Sequence, residues 1–359
     1  MVSGDNGHGK TNLVEAIGVL SSFESFRGAP TAAMVRVGHN EGVVRGRVQR
    51  GERELLVELE LSMGGRSRAQ VNKQKVARRA DLAEGLLVSV FAPDDLELVK
   101  GSPGIRRLLL DDTLSQLSPR YDAVRSTFER ALRQRNALLK SAKGRLDADA
   151  TLTLDVWDDR LGAAGTSLGE LRRTLWEDLA PMVGEAYSEL ADVPGHVSGT
   201  IVTSWGDDLP TAFAQSRVDD VRRGVTTVGP HRDDVSISLG GLPSRTHASQ
   251  GEQRTLALAL RLAAHRRLAS EVGHTPVLVL DDVFSELDHR RAAALLGALP
   301  EGQVIITSAV GVPAGVQPDD VLTIERSGNS VIDPHATDSP LVGASASVIH
   351  QQPTTGGGR

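Results

Sequence analysis

The spacing of apolar residues changes several times along the chain, and each change predicts a different kind of element. In residues 11–21 the apolar side chains recur every three or four positions and form one stripe of an amphipathic helix. Residues 42–50, 54–62 and 67–76 alternate apolar and polar side chains, with glycine-containing turns between the runs. Because successive side chains of a strand point to opposite faces, this alternation predicts an antiparallel meander.

Short apolar runs at residues 86–91, 277–280 and 304–307 predict buried strands. Between these runs the chain changes character. Residues 121–142 form a long, arginine-rich helical pattern, and residues 152–190 contain further helical segments. This alanine-rich region has few strand signals, so we expect a helical arm inserted between two α/β halves and too short for a long coiled coil.

The turn-rich segment at the start of the chain fits the phosphate-binding loop pattern G-x-x-x-x-G-K-[ST]. Its residues are Gly4, Asp5, Asn6, Gly7, His8, Gly9, Lys10 and Thr11. In such a loop backbone N–H groups cradle phosphate oxygens at the positive end of a helix. Lys10 is expected to reach the β- and γ-phosphates of ATP, and the Thr11 hydroxyl to ligate Mg²⁺.

A pair of carboxylates follows the apolar run 277–280. Asp281 lies where a P-loop enzyme holds the same Mg²⁺, and Asp282 directly follows it. Because the loop and the aspartate pair occur in the order of a nucleotide-hydrolysing enzyme, Lys10, Asp281 and Asp282 are the candidate catalytic residues.

A third polar segment begins at Ser249 and precedes a helical run over residues 254–268. Ser249 and Glu252 have the spacing of a capping box, which satisfies free N–H groups at a helix start. A capped helix start with a serine and Gly251 is also an anion site. The local and functional interpretations are compatible, and both remain open at this point.

These patterns predict an α/β P-loop NTPase with an ABC-ATPase-like head, an antiparallel β subdomain and an inserted short helical arm. The expected division is residues 1–114 and 196–335 for the head, 115–195 for the arm and 336–359 for a disordered tail. Only three residues precede Gly4, which is shorter than the average strand of about 5–6 residues. We therefore expect most of the strand before the loop to be missing, through either a fragment or an upstream start.

Composition narrows the class of protein further. The chain is 40% hydrophobic and 24% charged, and it contains no cysteine. These values are ordinary for a globular protein, and the lack of cysteine excludes disulfides and cysteine-ligated zinc. No apolar run approaches the roughly 18 residues of a membrane span, so we expect a cytoplasmic protein without a membrane partner.

The net charge of −6 conceals two basic regions. Residues 45–80 and residues 120–145 each carry a net charge of +6, so the remaining residues carry −18. Such segregation favours a local contact with a polyanion such as DNA, although each region alone is equally well explained as a solvated face. The candidate DNA-binding residues are Arg45, Arg47, Arg66, Arg68, Arg130, Arg133 and Arg135.

The order and spacing of these segments resemble the RecF family, within the SMC-like class of ABC-type ATPases. The resemblance covers roughly residues 4–330 and is carried by residues 7–17, 91–107, 228–234, 249–254 and 280–288. It implies ATP and Mg²⁺ binding, slow ATP hydrolysis, and a head-to-head homodimer around two nucleotides. In that dimer Ser249 and Gly251 act in trans on the partner's ATP, and Ser285 and Asp288 lie at the interface.

The resemblance also implies a role in DNA repair, with links to replication and the SOS response. Members recognise gaps and single-strand/duplex junctions, and with RecO and RecR they help load RecA on single-stranded DNA. The chain departs from the family pattern at Asp5, where proline is usual, and we expect a carboxylate there to repel phosphate unless it points away. Asp282 replaces the usual glutamate, which fits slow turnover.

Three alternatives remain open. One is a transporter-type nucleotide-binding subunit, which residues 304–308 disfavour because they lack the histidine that senses the γ-phosphate. Another is an SMC or Rad50-like tether, which the short arm disfavours. The third is a DNA-binding module that is indifferent to ATP.

Overall fold

The computed structural model describes residues 1–65, 67–76, 86–191 and 195–325. The predicted tail, residues 336–359, lies outside the described residues. The strands are β1 (Val2–Ser3), β2 (Glu41–Arg50), β3 (Arg53–Ser62), β4 (Arg68–Val71), β5 (Gln74–Val76), β6 (Val88–Phe91), β7 (Val197–Val202), β8 (Asp234–Leu239), β9 (Leu242–Pro243), β10 (Val277–Asp281), β11 (Val304–Ser308) and β12 (Leu322–Thr323).

The helices follow the predicted periodic segments closely. They are α1 (Lys10–Ser22), α2 (Thr31–Met34), α3 (Glu97–Lys100), α4 (Pro103–Leu117), α5 (Pro119–Ser141), α6 (Ala148–Ala191), α7 (Leu209–Arg223), α8 (Ser244–His247), α9 (Gln250–Val272) and α10 (His289–Ala298). Short 3₁₀ turns lie at Pro93–Leu96, Pro230–Arg232 and Val283–Glu286.

The described residues form two compact units, one from residues 1–94 and 268–325 and the other from residues 95–267. This division differs from the expected one, because the arm does not stand apart from the elements that follow it. The indole of Trp176 on α6 donates to the carbonyl of Gly199 on β7, at 3.0 Å. The arm and the strands after it therefore belong to one unit.

The first unit is built on a parallel sheet in the order β12-β1-β11-β10-β6. The two residues of β1 pair with β11 on one side and β12 on the other, so this short strand lies inside the sheet. An antiparallel sheet, β2-β3-β4-β5, forms the predicted meander. Its third run is a hairpin rather than one strand, because Asn72 and Lys73 adopt φ angles of 50° and 66° and turn the chain.

One apolar core joins α1 to both sheets of the first unit. Val14 of α1, Leu59 of β3 and Val279 of β10 belong to the same cluster, and each is at most 1% exposed. Burial of such side chains stabilises each by about 1.5–3 kcal/mol relative to exposure. The position of α1, and therefore of the loop before it, is fixed by this core.

The second unit packs helices against a small antiparallel sheet, β7-β8-β9. The segments predicted over residues 152–190 form a single helix of 44 residues, α6, which continues through Pro181. Glycines on α6 permit close packing: a Cβ on Gly165 would lie 2.5 Å from Leu209, and one on Gly169 2.7 Å from Trp205. Glycine and proline usually interrupt a helix, but α6 continues through Pro181, and its glycines make room for the side chains packed against it.

Candidate nucleotide site

The glycine-rich loop lies between β1 and α1, at the carboxyl end of the parallel sheet. Gly4, Gly7 and Gly9 have φ angles of 147°, 80° and 99°, a region that favours glycine. Gly4 has a second constraint, because a Cβ built on it would lie 2.4 Å from the carbonyl oxygen of Ile324. The imidazole Nδ1 of His8 lies 3.4 Å from that same oxygen. The loop therefore turns tightly against the residue that follows β12.

Lys10 begins α1, and its side chain is buried against the loop. Its Nζ donates to the carbonyl oxygens of Gly4, at 2.7 Å, and Asp5, at 3.0 Å. An ammonium has three N–H donors, and these bonds use two of them. The loop thus holds a positive charge in place beside its own backbone.

The predicted meeting of the loop with the strand that ends at Asp281 is present. The Thr11 hydroxyl donates to Asp281 Oδ1 at 3.4 Å, although the two residues are 270 positions apart. The same Oδ1 accepts a shorter hydrogen bond, 2.7 Å, from the hydroxyl of Thr307 on the neighbouring strand β11. Asp281 is only 5% exposed, and these two donors orient its carboxylate.

Asp282 adopts a left-handed backbone conformation, with φ 52° and ψ 23°. This conformation is uncommon outside glycine and persists where neighbouring groups hold it. Its N–H donates to Thr307 Oγ1 at 2.9 Å, and its carbonyl accepts from Ser285 Oγ at 2.7 Å. The turn after β10 is therefore fixed on both sides of Asp282.

A cleft of about 180 Å³ opens between these elements. It is lined by Asn6, Gly7, Gly9, Lys10, Thr11, Asn12, Asp281, Asp282 and Thr307. Gly4, Asp5 and His8 belong to the loop but not to this lining, and the side chain of Asp5 is exposed. Asn12 and Thr307 were not among the predicted site residues.

The oxygen ligands at the cleft suit a hard cation that also binds phosphate. Thr11 and Asp281 place a hydroxyl and a carboxylate side by side. Mg²⁺ is commonly held by one or two carboxylates together with substrate phosphates and water, not by an all-protein cage. The hydroxyl of Thr11 and the carboxylate of Asp281 fit a Mg²⁺ ion that is bound together with a nucleotide. Within the described residues no group of three or more His, Asp or Glu side chains gathers as a metal cage.

The capping box predicted at Ser249 is present at the start of α9. The Ser249 N–H donates to Glu252 Oε2 at 2.7 Å, and the Glu252 N–H donates to Ser249 Oγ at 3.3 Å. The neighbouring Gly251 accepts from the Thr255 hydroxyl through its carbonyl oxygen, at 2.9 Å. The local role of Ser249 is confirmed, and a role in trans stays a prediction.

The two residues predicted at a dimer interface are exposed and have local partners in the same chain. Ser285 holds the Asp282 carbonyl, as described above. Asp288 caps α10 by accepting from the Arg291 N–H at 2.9 Å, and this hydrogen bond lowers the pKa of its carboxyl. These contacts define the shape of the segment after β10.

A buried ionic network in the second unit accounts for the segment at residues 228–234. The Arg106 guanidinium binds Asp234 through two bonds of 2.7 and 2.9 Å, and Asp233 accepts from the Trp205 indole at 2.9 Å. The adjacent Arg232 instead donates to the carbonyl of Thr226 at 3.4 Å, so Asp233 and Asp234 are held by partners from elsewhere in the unit. Burial raises the pKa of Asp233 to about 6 and lowers the pKa of His231 to about 4.

The structure removes one candidate DNA-binding residue. Arg135 is fully buried, and it binds Asp158 at 2.6 Å and Asp220 at 2.7 Å. A side chain without exposed surface cannot contact a phosphate, so its assignment to DNA binding is wrong. Arg66, and Arg78 and Arg79 of the same basic region, lie outside the described residues.

The remaining arginines differ in their surroundings. Arg45 faces Glu58 across the β2–β3 pair at 2.7 Å, Arg47 lies 4.0 Å from Glu54, and Arg68 stands opposite Glu60 in the β3–β4 register. The described part of the meander therefore interleaves its charges, which reduces the positive potential expected from its sequence. Two arginines on α5, Arg130 and Arg133, are also exposed and lie three residues apart on one face, and Arg133 is 3.9 Å from Glu129.

Comparison with known proteins identifies the family. A family model described as the RecF/RecN/SMC N terminal domain matches residues 1–312. The DNA replication and repair protein RecF of Streptomyces avermitilis is 43% identical over 335 residues, covering 88% of this chain and 89% of that protein. The chain belongs to the RecF family. The RecF protein of Beutenbergia cavernae is similarly related, with 44% identity over 86% of this chain and 87% of its own.

Solved structures agree with the family assignment. The recombination mediator protein RecF of the RecFOR pathway, in a structure described as RecF-ATP, has a TM-score of 0.82 at 31% identity over 90% of this chain and 88% of that one. A second structure, described as RecF-ATPrS, gives 0.81 at 30% identity over 90% of both chains. The predicted α/β ABC-ATPase-like fold is confirmed for this RecF family member. None of its described helices is long and apolar enough to cross a membrane.

Proposed function

We propose that this RecF family member is an ATP-driven, dimer-forming DNA-binding protein of recombinational repair. The observation that carries the proposal is the contact of Thr11 with Asp281, which joins the phosphate-binding loop to a carboxylate at the end of a buried strand. The names of the relatives support a role in DNA replication and repair. The RecF-ATP description of a similar structure supports ATP as the nucleotide.

The residues of the cleft divide the work of phosphate binding and hydrolysis. The loop N–H groups and Lys10 bind the phosphates. Thr11 and Asp281 would hold Mg²⁺, which would supply neutralisation of charge on the transferred phosphoryl group. Asp282 polarises the attacking water. Its carboxylate is one methylene shorter than the glutamate common at this position, so we expect slow turnover that DNA stimulates.

Dimer formation supplies the second half of each nucleotide site. Ser249 and Gly251 begin α9 and offer a capped, positive helix end to the γ-phosphate bound by the partner copy. Ser285 and Asp288 are exposed at the segment after β10 and form part of the same interface. ATP then favours the dimer by its differential affinity for the two states, and hydrolysis resets the equilibrium.

DNA binding uses phosphate contacts, because aromatic residues make up only 3% of the chain and offer little base stacking. Arg130 and Arg133 on the exposed face of α5 are the first candidates, and Arg45, Arg47 and Arg68 on the meander are secondary. The substrate is gapped DNA or a single-strand/duplex junction. RecO and RecR are the expected partners in RecA loading, with links to replication and the SOS response.

The test of the switch is the effect of Lys10→Ala on ATP-driven dimerisation, measured by sedimentation with and without Mg²⁺ and ATP. Lys75→Ala is the matched control, because Lys75 is an exposed lysine on β5. We expect ATP to dimerise the wild type and the control but not Lys10→Ala. Dimerisation of Lys10→Ala with ATP would show that the loop does not operate the switch.

A further inference from the structure

Thr307 is the next-to-last residue of the buried strand β11, and its hydroxyl contacts both candidate catalytic aspartates. It is fully buried, donates to Asp281 Oδ1 at 2.7 Å and accepts from the Asp282 N–H at 2.9 Å. A hydroxyl has one donor and two acceptor positions, so its single proton is committed to the carboxylate. The Thr307 side chain thus contacts two consecutive residues at the end of the neighbouring strand β10, Asp281 and Asp282.

The sheet explains why a threonine can make both contacts. Asp281 and Thr307 are register partners in the parallel pair β10–β11, so their side chains emerge side by side. A β-branched side chain has few rotamers in a strand, and this restricts where the hydroxyl points. The hydroxyl is therefore directed at the end of β10 by backbone pairing and by its own stereochemistry.

The contact with Asp281 determines which carboxylate oxygen is engaged. Oδ1 receives the hydroxyls of Thr11 and Thr307, at 3.4 and 2.7 Å. The carboxylate is consequently oriented by two donors that come from different elements, α1 and β11. A carboxylate that must present a lone pair to a cation gains from such orientation, because ligand alignment contributes to metal affinity.

The contact with Asp282 acts on the backbone. Its left-handed conformation is uncommon for a residue with a Cβ, and the Thr307 oxygen accepts the N–H that this conformation directs toward β11. Asp282 lines the cleft, and the direction of its side chain depends on this backbone geometry. Loss of the acceptor would leave the N–H without this partner and release the turn.

We propose that Thr307 is a positioning residue that aligns both aspartates of the ATP site through a single hydroxyl. This inference rests on the proposed function and adds to it a residue that neither binds phosphate nor reacts. Thr307 holds Asp281 for the metal and Asp282 for the attacking water, so the two tasks are coupled through one side chain.

The test compares Thr307→Val, which keeps the shape and removes the hydroxyl, with Thr307→Ser, which keeps the hydroxyl. The readouts are the affinity for ATP with and without Mg²⁺, and kcat and KM for hydrolysis as Mg²⁺ is varied. We expect Thr307→Val to lower kcat and to raise the Mg²⁺ requirement by about 10–100-fold, as loss of supporting groups around a metal typically does. ATP affinity without Mg²⁺ should be unchanged, and Thr307→Ser should restore both values to near wild type.

Thr113→Val is the matched control for removing a buried threonine hydroxyl, because Thr113 is 3% exposed and donates to a helix carbonyl in the other unit. If Thr307→Val does not fold, Thr307→Cys takes its place, since a thiol is a weak donor of similar size. Thr307→Val or Thr307→Cys with wild-type kcat and Mg²⁺ requirement would overturn the inference and leave the proposed function standing. A wild type that does not bind ATP would overturn both.

Discussion

Replacement of Arg135 should reduce stability, whereas replacement of an exposed arginine of the same helix should reduce DNA affinity. We consider Arg135→Met beside Arg133→Met, two changes that remove a guanidinium from the same helix two positions apart. Arg135 is fully buried, whereas the side chain of Arg133 is 69% exposed. The two variants should therefore fail in different assays.

The loss of stability in Arg135→Met follows from the two carboxylates that lose their partner. Its removal takes from Asp220 a charge-assisted bond of 2.7 Å and from Asp158 one of 2.6 Å. Breaking a buried ion pair on one side destabilises a protein by about 3–5 kcal/mol. Asp220 keeps two donors from Thr227, its N–H at 2.9 Å and its hydroxyl at 2.6 Å, so we expect the lower end of that range, about 3 kcal/mol. Arg133→Met should change stability by at most about 0.5 kcal/mol, as for a weak exposed pair.

Tryptophan fluorescence provides the assay, because all three tryptophans, Trp157, Trp176 and Trp205, lie in the unit that contains Arg135. Urea unfolding followed by this signal reports on that unit alone. DNA affinity is then measured on the folded proteins, where Arg133→Met should be weaker and Arg135→Met unchanged. Equal stability of the two variants would refute the structural role of Arg135.

Three further outcomes are expected. Burial lowers the pKa of His265 to about 4, below its ordinary value of 6.5. The unfolded chain therefore binds a proton at a higher pH than the folded chain, and the free energy of unfolding falls as the pH drops from about 6.5 toward 4. In urea unfolding, His265→Leu should reduce the stability lost between pH 7 and pH 5 by on the order of 1–2 kcal/mol. Ser249→Arg should leave ATP binding by the monomer intact and block dimerisation in sedimentation, and loss of ATP binding itself would contradict a role in trans. Affinity for DNA should fall steeply with salt, and Arg130→Gln should reduce the slope of log K against log salt by about 0.7–0.9, whereas an unchanged slope would remove α5 from the interface.

Local pattern was sufficient for most elements and for the phosphate-binding loop. The helix after the loop, the meander and the strand that ends at Asp281 depend on periodicity and on residue types at fixed spacing, which a sequence shows directly. The pairing of Thr11 with Asp281 was predictable because P-loop enzymes use both motifs to hold one Mg²⁺.

Contacts between distant, ordinary residues were not predictable. Arg135 lies in an arginine-rich helix, and nothing in the local pattern distinguishes it from the exposed Arg133. Its partner Asp220 is 85 positions away, and only the packing of α5, α6 and α7 makes the two meet. The sequence did not show that α6 is one continuous helix for a similar reason, since its glycines pack against residues that come later in the chain.

The contacts of Thr307 in the site could not be predicted from the sequence either. A threonine after an apolar run is common in strands, and its spacing to Asp281 carries no recognisable pattern. The signal that was present is topological: the carboxyl ends of adjacent parallel strands lie side by side, so a polar residue near the end of one strand lies beside a polar residue near the end of the next. That argument requires the strand order, which the sequence alone does not provide.

Control of DNA binding by ATP can be measured directly as the affinity for gapped duplex DNA with and without Mg²⁺ and ATP, at one fixed salt concentration. Intact duplex and single-stranded DNA of equal length are the controls. We expect ATP to strengthen DNA binding, and to do so most for the gapped substrate. Equal affinity with and without ATP would contradict it and would favour a DNA-binding module that is indifferent to the nucleotide.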